Sequence, residues 1–313
     1  ISKVKNCSLD VVRYNFRKHK VKYNKFASKL RMFSSEDAKE LVKMYVEKGM
    51  STFEIAAEKG VRQSVIFNTL KRAGLELRSL SHSHQKYDVN ESYFEKIDSE
   101  EKAYFLGLLY ADGNTFYRKS KWGTSYAVSI SLKDEDSYLV SSLKERIFPN
   151  QNKPLEKRKG QTRLVFTNQK IFSDLVRLGC HPKKSFTLKF PDSDKVPANF
   201  LRHFIRGYFD GDGCITRNHK SPRVDANFDL VSSFDFCYGF IDLMKSFGVS
   251  INVRKCKHSP QICYVTTSKQ SNLLYLHEMI YKDATILMER KKNKFDMIIE
   301  MIKKAQLKRQ KYV

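Results

Sequence analysis

A motif that recurs after one hundred residues constrains the fold of this chain more than any other feature. It reads YFLGLLYADG at 104–113 and FIRGYFDGDG at 204–213. Each copy predicts a short apolar helix with small residues at i and i+4, which lie on one helix face and let a second backbone approach closely. We expect the two helices to pack together and to bring Asp112 and Asp212 to adjoining ends. The small residues assigned to this packing are Gly107, Ala111, Gly207 and Gly211.

The repeat extends beyond the motif into two units with the same order of predicted elements. Tyr138 and Tyr238, for example, lie at the same offset in the two copies. Each unit reads helix, two strands, helix, two strands, helix. The sequence therefore predicts an α+β fold with two pseudo-symmetric αββαββα units at 87–192 and 193–313. A small all-α region that ends in a linker is predicted to precede them at 1–86.

One strand of each unit alternates between apolar and polar residues, as half-buried strands do. Two-stranded ribbons fit the major groove of DNA, where each base pair shows a distinct pattern of donors and acceptors. We therefore expect the polar faces and the basic hairpins beside them to contact DNA, and the different faces to read an asymmetric target. The residues assigned to this interface are Ser125, Ser129, Ser131, Lys157, Arg158, Lys159, Arg163, Asp225, Asn227, Asp229, Arg254, Lys255 and Lys257.

The net charge favours a polyanionic partner. The chain contains 58 Lys and Arg against 34 Asp and Glu, a formal charge of +24. Nucleic acid is the commonest polyanion, and a ribosomal-type or membrane-surface protein is the alternative that composition alone does not exclude. The sequence contains no run of about eighteen apolar residues that would span a bilayer, and no signal peptide is visible. We therefore expect an intracellular monomer that binds double-stranded DNA and no membrane.

The two motifs resemble those of the LAGLIDADG homing endonucleases in their single-chain, two-motif form. The flanking sequences GCHPKKS at 179–185 and LMERKKNKF at 287–295 also resemble this family, and the resemblance extends over 93–305. It implies a saddle-shaped fold and site-specific cleavage of DNA for the mobility of an intron or a similar element. The first motif departs from the pattern because Tyr110 stands where the family usually has an acidic residue, which the second motif keeps as Asp210.

Asp112 and Asp212 are candidate metal ligands and catalytic residues. A helix C-terminus disfavours negative charge, and neighbouring carboxylates repel each other. Mg²⁺ would relieve both penalties, since it prefers few carboxylates together with phosphate oxygens and waters, and we expect Mn²⁺ to substitute. Either Asp-Gly alone is better explained by a turn that ends a helix. The pair at matched positions favours a metal site for phosphodiester hydrolysis.

Three lysines are candidates for stabilising the charge of the transition-state phosphate. Lys133 follows the polar face of its strand, at the end expected beside the metal. Its counterpart is Ser233, so the two halves of the site are expected to differ. By resemblance, Lys184 and Lys291 are further candidates, one in each unit, and an ordinary phosphate or solvent contact is the alternative for each. The acidic run at 134–136 is interpreted as charge at the start of the following helix.

The pattern at 34–74 indicates a helix-turn-helix preceded by another helix, with Gly60 in the turn. The second helix of this motif enters the major groove, and an ordinary three-helix core is the alternative. The stretch at 10–21 aligns with 64–75, so we interpret it as part of an earlier repeat that is cut short at Ile1. The residues that the helix would offer to bases are Arg62, Gln63, Ser64 and Asn68.

The leading hypothesis is a sequence-specific, Mg²⁺-dependent endonuclease that cuts double-stranded DNA. Two other classes use the same scaffold. A transcription regulator would bind DNA without cutting it, and such proteins lose the acidic pair that this chain keeps. An intron maturase would bind intron RNA and can keep both acids, so the sequence discriminates poorly against it.

Overall fold

A computed structural model describes residue 18 and the ranges 33–77, 87–121, 123–218, 224–256 and 259–310. The chain divides into two compact units, Ile1–Lys86 and Tyr87–Val313. Among the residues described, no helix is both long and apolar enough to cross a membrane.

Three helices of the first unit pack around a small apolar core. They are α1 (Ser35–Val46), α2 (Thr52–Glu58) and α3 (Gln63–Arg72). A capping box between Ser34 and Asp37 begins α1, and α2 begins in the same way after Ser51. Both boxes satisfy N–H groups that a helix start leaves unpaired. Gly60 adopts a positive φ of 64° in the turn before α3. The core contains Leu41, Met44, Tyr45, Ile55, Ala56, Ile66 and Leu70.

The earlier repeat predicted at 10–21 lies outside the described residues, apart from Lys18, which is in a helix. The linker predicted at the end of the region 1–86, at residues 79–86, also lies outside them.

The second unit contains two copies of one αββαββα arrangement. The first copy consists of α4 (Glu100–Asp112), β1 (Gly113–Ser120), β2 (Gly123–Lys133), α5 (Ser137–Ile147), β3 (Glu156–Arg158), β4 (Gln161–Thr167) and α6 (Gln169–Arg177). The second copy consists of α7 (Ala198–Asp212), β5 (Gly213–Arg217), β6 (Ala226–Ser233), α8 (Phe234–Ser246), β7 (Asn252–Lys255), β8 (Ile262–Thr267) and α9 (Gln270–Tyr281). A further helix, α10 (Glu289–Gln310), follows. The predicted fold class, α+β with two pseudo-symmetric units, is confirmed.

Each copy forms a four-stranded antiparallel sheet, in the orders β1-β2-β4-β3 and β5-β6-β8-β7. The register is the same in both, because Gly113 pairs with Ile130 and Gly213 pairs with Leu230. The inner faces of both sheets bury apolar side chains in one continuous core. One edge strand of each sheet, β1 or β5, begins directly after the helix that ends at Asp112 or Asp212.

The helices α4 and α7 pack at their glycines. A Cβ atom added to Gly107 would lie 2.0 Å from the carbonyl oxygen of Phe204. A Cβ atom added to Gly207 would lie 2.0 Å from the carbonyl oxygen of Tyr104. Only glycine permits so close an approach of two backbones. All residues of α4 from 103 to 110 are buried, because α4 contacts its own sheet on one side and α7 on the other.

Candidate functional site

The carboxylates of Asp112 and Asp212 lie at the paired C-terminal ends of α4 and α7. A Cβ atom added to Gly211 would lie 2.2 Å from Cβ of Ala111 and 3.0 Å from Oδ2 of Asp112. The close approach of the helices thus continues to their last turn. The structure brings the two predicted site carboxylates together, one from each copy.

Burial raises the pKa of both carboxyl groups. The pKa of Asp212 rises to about 6, mainly through desolvation and then through the charge of Asp112. Asp112 keeps an exposed side, yet the protein atoms packed around it raise its pKa, while the charges of Lys291 and Lys184 oppose the rise. A second negative charge is therefore costly here unless a cation accompanies it.

A lysine binds backbone carbonyls at the end of each helix. Lys184 is 7% exposed and donates from Nζ to the carbonyl of Gly113 at 2.5 Å. Burial lowers the pKa of Lys291, while Asp210 opposes this shift. Cations are favourable at helix C-termini, so both lysines stabilise the helix ends that carry the carboxylates. The Nζ of Lys291 donates to the carbonyls of Phe209, Gly211 and Gly213 at 2.9, 2.9 and 2.6 Å.

Lys133 is not brought into this cluster. It lies at the end of β2, three residues after Ile130, which pairs with Gly113. Its side chain is 66% exposed, its Nζ lies 3.8 Å from Oε1 of Glu135, and it forms no ion pair with Asp112 or Asp212 in the described part of the chain. Its predicted counterpart, Ser233, is buried and donates to the carbonyl of Leu188.

The position two residues before each site aspartate differs between the copies. Asp210 is fully buried and accepts three hydrogen bonds. Burial raises its pKa to about 6, and the three donors oppose this rise. The equivalent Tyr110 donates instead to the carbonyl of Leu178. The donors to Asp210 are Oη of Tyr104, Oη of Tyr281 and the backbone N–H of Met288, at 2.9, 2.9 and 2.7 Å.

A buried arginine forms a second polar link between the copies, which sequence reasoning missed. Arg206 donates to Oε1 of Glu100 in α4 at 2.6 Å and to the carbonyls of Ile280 and Ile286 at 2.9 and 2.8 Å. Burial lowers the pKa of His203 to about 4, with a further contribution from Arg206. The neutral ring then accepts a hydrogen bond from Arg206 at 2.9 Å. The arginine within the apolar motif FIRGYF was the available signal.

The outer face of the first sheet forms a groove to which all four strands contribute. Ser125 and Arg163 line it, together with Arg118. Ser131 donates to Gln161 at 3.0 Å. The other predicted residues of this sheet, which lie in or just after β3, are exposed: Lys157, Arg158 and Lys159.

Ser129 is a correction to the predicted interface. It was expected to contact DNA but is only 5% exposed. Its strand has neighbours on both sides, with Asn114 of β1 and Val165 of β4 opposite it. Its side chain therefore offers almost no surface to a ligand.

Three predicted residues of the second sheet interact with one another. Asn227 donates to Oδ2 of Asp229 at 2.5 Å, and Nη2 of Arg254 lies 3.7 Å from Oδ1 of Asp229. Asp225 accepts a hydrogen bond from Asn218 at 3.2 Å. Lys255 is exposed. The remaining predicted residue, Lys257, lies outside the described residues.

The residues predicted to read bases in the first unit lie at the start of α3 and along it. Arg62, Ser64 and Asn68 are exposed. Gln63 instead donates to Oγ1 of Thr52 at 2.9 Å, which ties α3 to α2. Three of the four predicted side chains are therefore accessible to a ligand.

The donor set at the helix ends fits a hard divalent cation. Within the described ranges, no group of three or more His, Cys, Asp or Glu side chains could hold a metal ion. Mg²⁺ needs few carboxylates when phosphate oxygens and waters complete its shell. Asp112 and Asp212 supply two carboxylates that lie together. Their raised pKa values reflect the cost of placing two negative charges here, which a bound cation would offset.

Comparison with known families supports the resemblance. The model of the LAGLIDADG-like domain matches residues 199–281, which confirms the resemblance for the second motif and its sheet. No curated protein matches the chain. Similar solved structures include the LAGLIDADG meganuclease I-AabMI bound to uncleaved DNA (12% identity, 64% of this chain and 91% of that one, TM-score 0.46). Two more are the LAGLIDADG homing endonucleases I-GzeII with its DNA target (11%, 66% and 91%, 0.47) and I-LtrWI bound to target DNA (13%, 69% and 92%, 0.46).

Proposed function

We propose that this protein is a sequence-specific endonuclease of the LAGLIDADG homing type, which hydrolyses both strands of an asymmetric DNA target with a divalent metal. One observation carries the proposal. Asp112 and Asp212 come from different copies and lie together at the ends of α4 and α7, beside two lysines that bind the adjoining carbonyls. The formal charge of +24 supports a polyanionic substrate.

Asp112 and Asp212 would hold Mg²⁺ or Mn²⁺. The metal, when bound, supplies Lewis-acid stabilisation of the phosphate charge and a more acidic water. The chain itself supplies the geometry, because the glycines of α4 and α7 bring the two aspartates into one site. Lys184 and Lys291 supply positive charge that favours the ionised form of Asp112. Ionised carboxylates are the form that binds a cation.

The outer faces of the two sheets are the proposed DNA interface. Arg163 and Ser125 line the groove of the first sheet, whereas Asp229 and Arg254 interact on the second. Basic side chains contact phosphates and position the duplex, while groups with a fixed donor or acceptor pattern discriminate bases. Because the two faces carry different groups, the two half-sites of the target differ in sequence. The exposed residues of α3 are proposed to add base contacts.

The test is cleavage of a randomised plasmid library by the purified protein with Mg²⁺, with Mn²⁺ and with EDTA. Asp112→Asn and Asp212→Asn are compared with Asp235→Asn, a control at an exposed residue at the start of α8. The proposal expects wild type and control to cut a discrete set of sites, and both site variants to bind those sites without cutting. A wild type that binds duplex DNA but cuts it with neither metal would favour a regulator. Preferential binding of intron RNA would favour a maturase.

A further inference from the structure

The segment 285–291, here called the strap, connects α9 to the first turn of α10 and contains Lys291. Oη of Tyr138, in α5 of the first copy, donates to the carbonyl of Leu287 at 3.0 Å. The same oxygen accepts the N–H of Glu289 at 2.8 Å. Glu100, also of the first copy, accepts the N–H of Thr285 at 2.8 Å. The strap belongs to the second copy and is bound by side chains of both copies, since Asp210 and Arg206 of the second copy also bind it, at Met288 and Ile286.

An ion pair strengthens this attachment next to Lys291. Nε of Arg290 donates to Oδ2 of Asp136 at 2.8 Å and lies 3.2 Å from Oε1 of Glu135. Asp136 is 2% exposed, so removal of Arg290 would leave a buried carboxylate without its charged partner, which is costly. The acidic run at 134–136, interpreted from the sequence as charge at a helix start, thus has a partner in the other copy.

The equivalent lysine of the first copy is anchored differently. The segment before Lys184 is bound by side chains of its own copy: Tyr110 donates to the carbonyl of Leu178, and Thr115 donates to the carbonyl of Cys180 at 2.9 Å. The two halves of the site therefore differ in what fixes their lysines.

We infer that Asp136 and Arg290 are positioning residues for Lys291. Their ion pair, together with Tyr138, fixes the strap against the first copy and so keeps the ammonium of Lys291 on the carbonyls at the end of α7. One half of the site depends in this way on the integrity of the other copy. The consequence for cleavage rests on the proposed function: loss of the pair slows hydrolysis of one DNA strand more than the other.

The first test needs no DNA and measures acylation of lysines by an amine-reactive ester, located by mass spectrometry. Asp136→Asn and Arg290→Gln are expected to raise acylation of Lys291 about tenfold, the lower end of the effect of losing a hydrogen bond between charged groups. Acylation of Lys184 should stay unchanged. The exchange of charges in Asp136→Arg with Arg290→Asp should restore part of the protection.

Two further variants distinguish loss of the contacts to the strap from a general loss of stability. Arg146→Gln removes another ion pair of the first copy, with Nε of Arg146 2.9 Å from Oε1 of the part-buried Glu101, and should change acylation of neither lysine. Tyr138→Phe removes the two hydrogen bonds of the Tyr138 hydroxyl to the strap and leaves no buried charge unpaired. This variant should therefore fold and raise acylation of Lys291 by a smaller factor. Unchanged reactivity of Lys291, or an equal rise at Lys184, would overturn the inference.

The second test measures nicking of each strand of a cleaved target by end-labelling. Arg290→Gln should slow one strand about tenfold more than the other, as expected for misplacing one charged group, while Arg146→Gln slows neither selectively. Equal slowing of both strands would mean that the pair is only structural. If wild type cuts no DNA, the proposed function fails, and the acylation result still decides the role of the ion pair.

Discussion

The contact between α4 and α7 predicts a large effect of a single methyl group. In Gly107→Ala the new Cβ would lie 2.0 Å from the carbonyl oxygen of Phe204 and 2.8 Å from the amide nitrogen of Tyr208. The obstacle is backbone in both cases, so no rotamer change relieves it. Overpacking of this kind costs about 1–3 kcal/mol, and here the helices must separate. The greater helix propensity of alanine returns only about 1 kcal/mol.

Because the obstacle is backbone, we take the upper end of that cost and expect Gly107→Ala to lower the free energy of unfolding by about 2 kcal/mol after the gain in helix propensity, measured by urea denaturation. Gly207→Ala should behave alike, because its Cβ would meet the carbonyl of Tyr104 at the same distance. Asn293→Ala at an exposed position of α10 is the control for helix propensity and should not destabilise the protein. A stability equal to or above wild type in both glycine variants would refute the close approach of the helices.

Three further predictions concern the lysines, the DNA interface and the dependence of stability on pH. Lys291→Met should reduce cleavage by about 10²-fold, as loss of a charge-stabilising donor does, whereas Lys133→Met should reduce it much less; equal single-turnover rates would contradict this assignment. Arg163→Ala should weaken DNA binding and lower the salt slope by about 1, whereas Ser129→Ala should leave the affinity unchanged in the same titration. The pKa of His203 is about 4 in the folded protein and about 6.5 when unfolded. The unfolded chain therefore binds more protons between these values, and this contribution to stability, roughly 3 kcal/mol, is lost as the pH falls from 6.5 through 4. His203→Gln should show a smaller loss over this range in denaturation curves, and an identical loss would contradict the assignment.

Much of the architecture could be predicted from the sequence because it depends on local patterns. The repeat at an offset of one hundred predicted two equivalent units, and small residues within apolar helices indicated where the helices meet. The depth of burial could not be predicted in this way. Alternation along β2 indicates the side on which Ser129 lies, but the strands paired on both sides of it decide how much of it is covered.

The polar links between the copies were also beyond sequence reasoning. Asp136 and Arg290 are 154 positions apart, and Arg206 and Glu100 are 106 apart. No periodicity connects such residues, because their proximity results from the packing of two whole copies. A charged residue within a buried motif, such as Arg206, indicates that a partner exists but not which residue it is.

The central claim is that Asp112 and Asp212 together bind a divalent metal with DNA phosphate. The most direct measurement is a titration of the protein–DNA complex with Mn²⁺, followed by electron paramagnetic resonance of the free ion. We predict saturable binding by the wild-type complex, and its loss in Asp112→Asn and in Asp212→Asn under conditions where DNA remains bound. Mn²⁺ binding that is the same in wild type and both variants would contradict the claim.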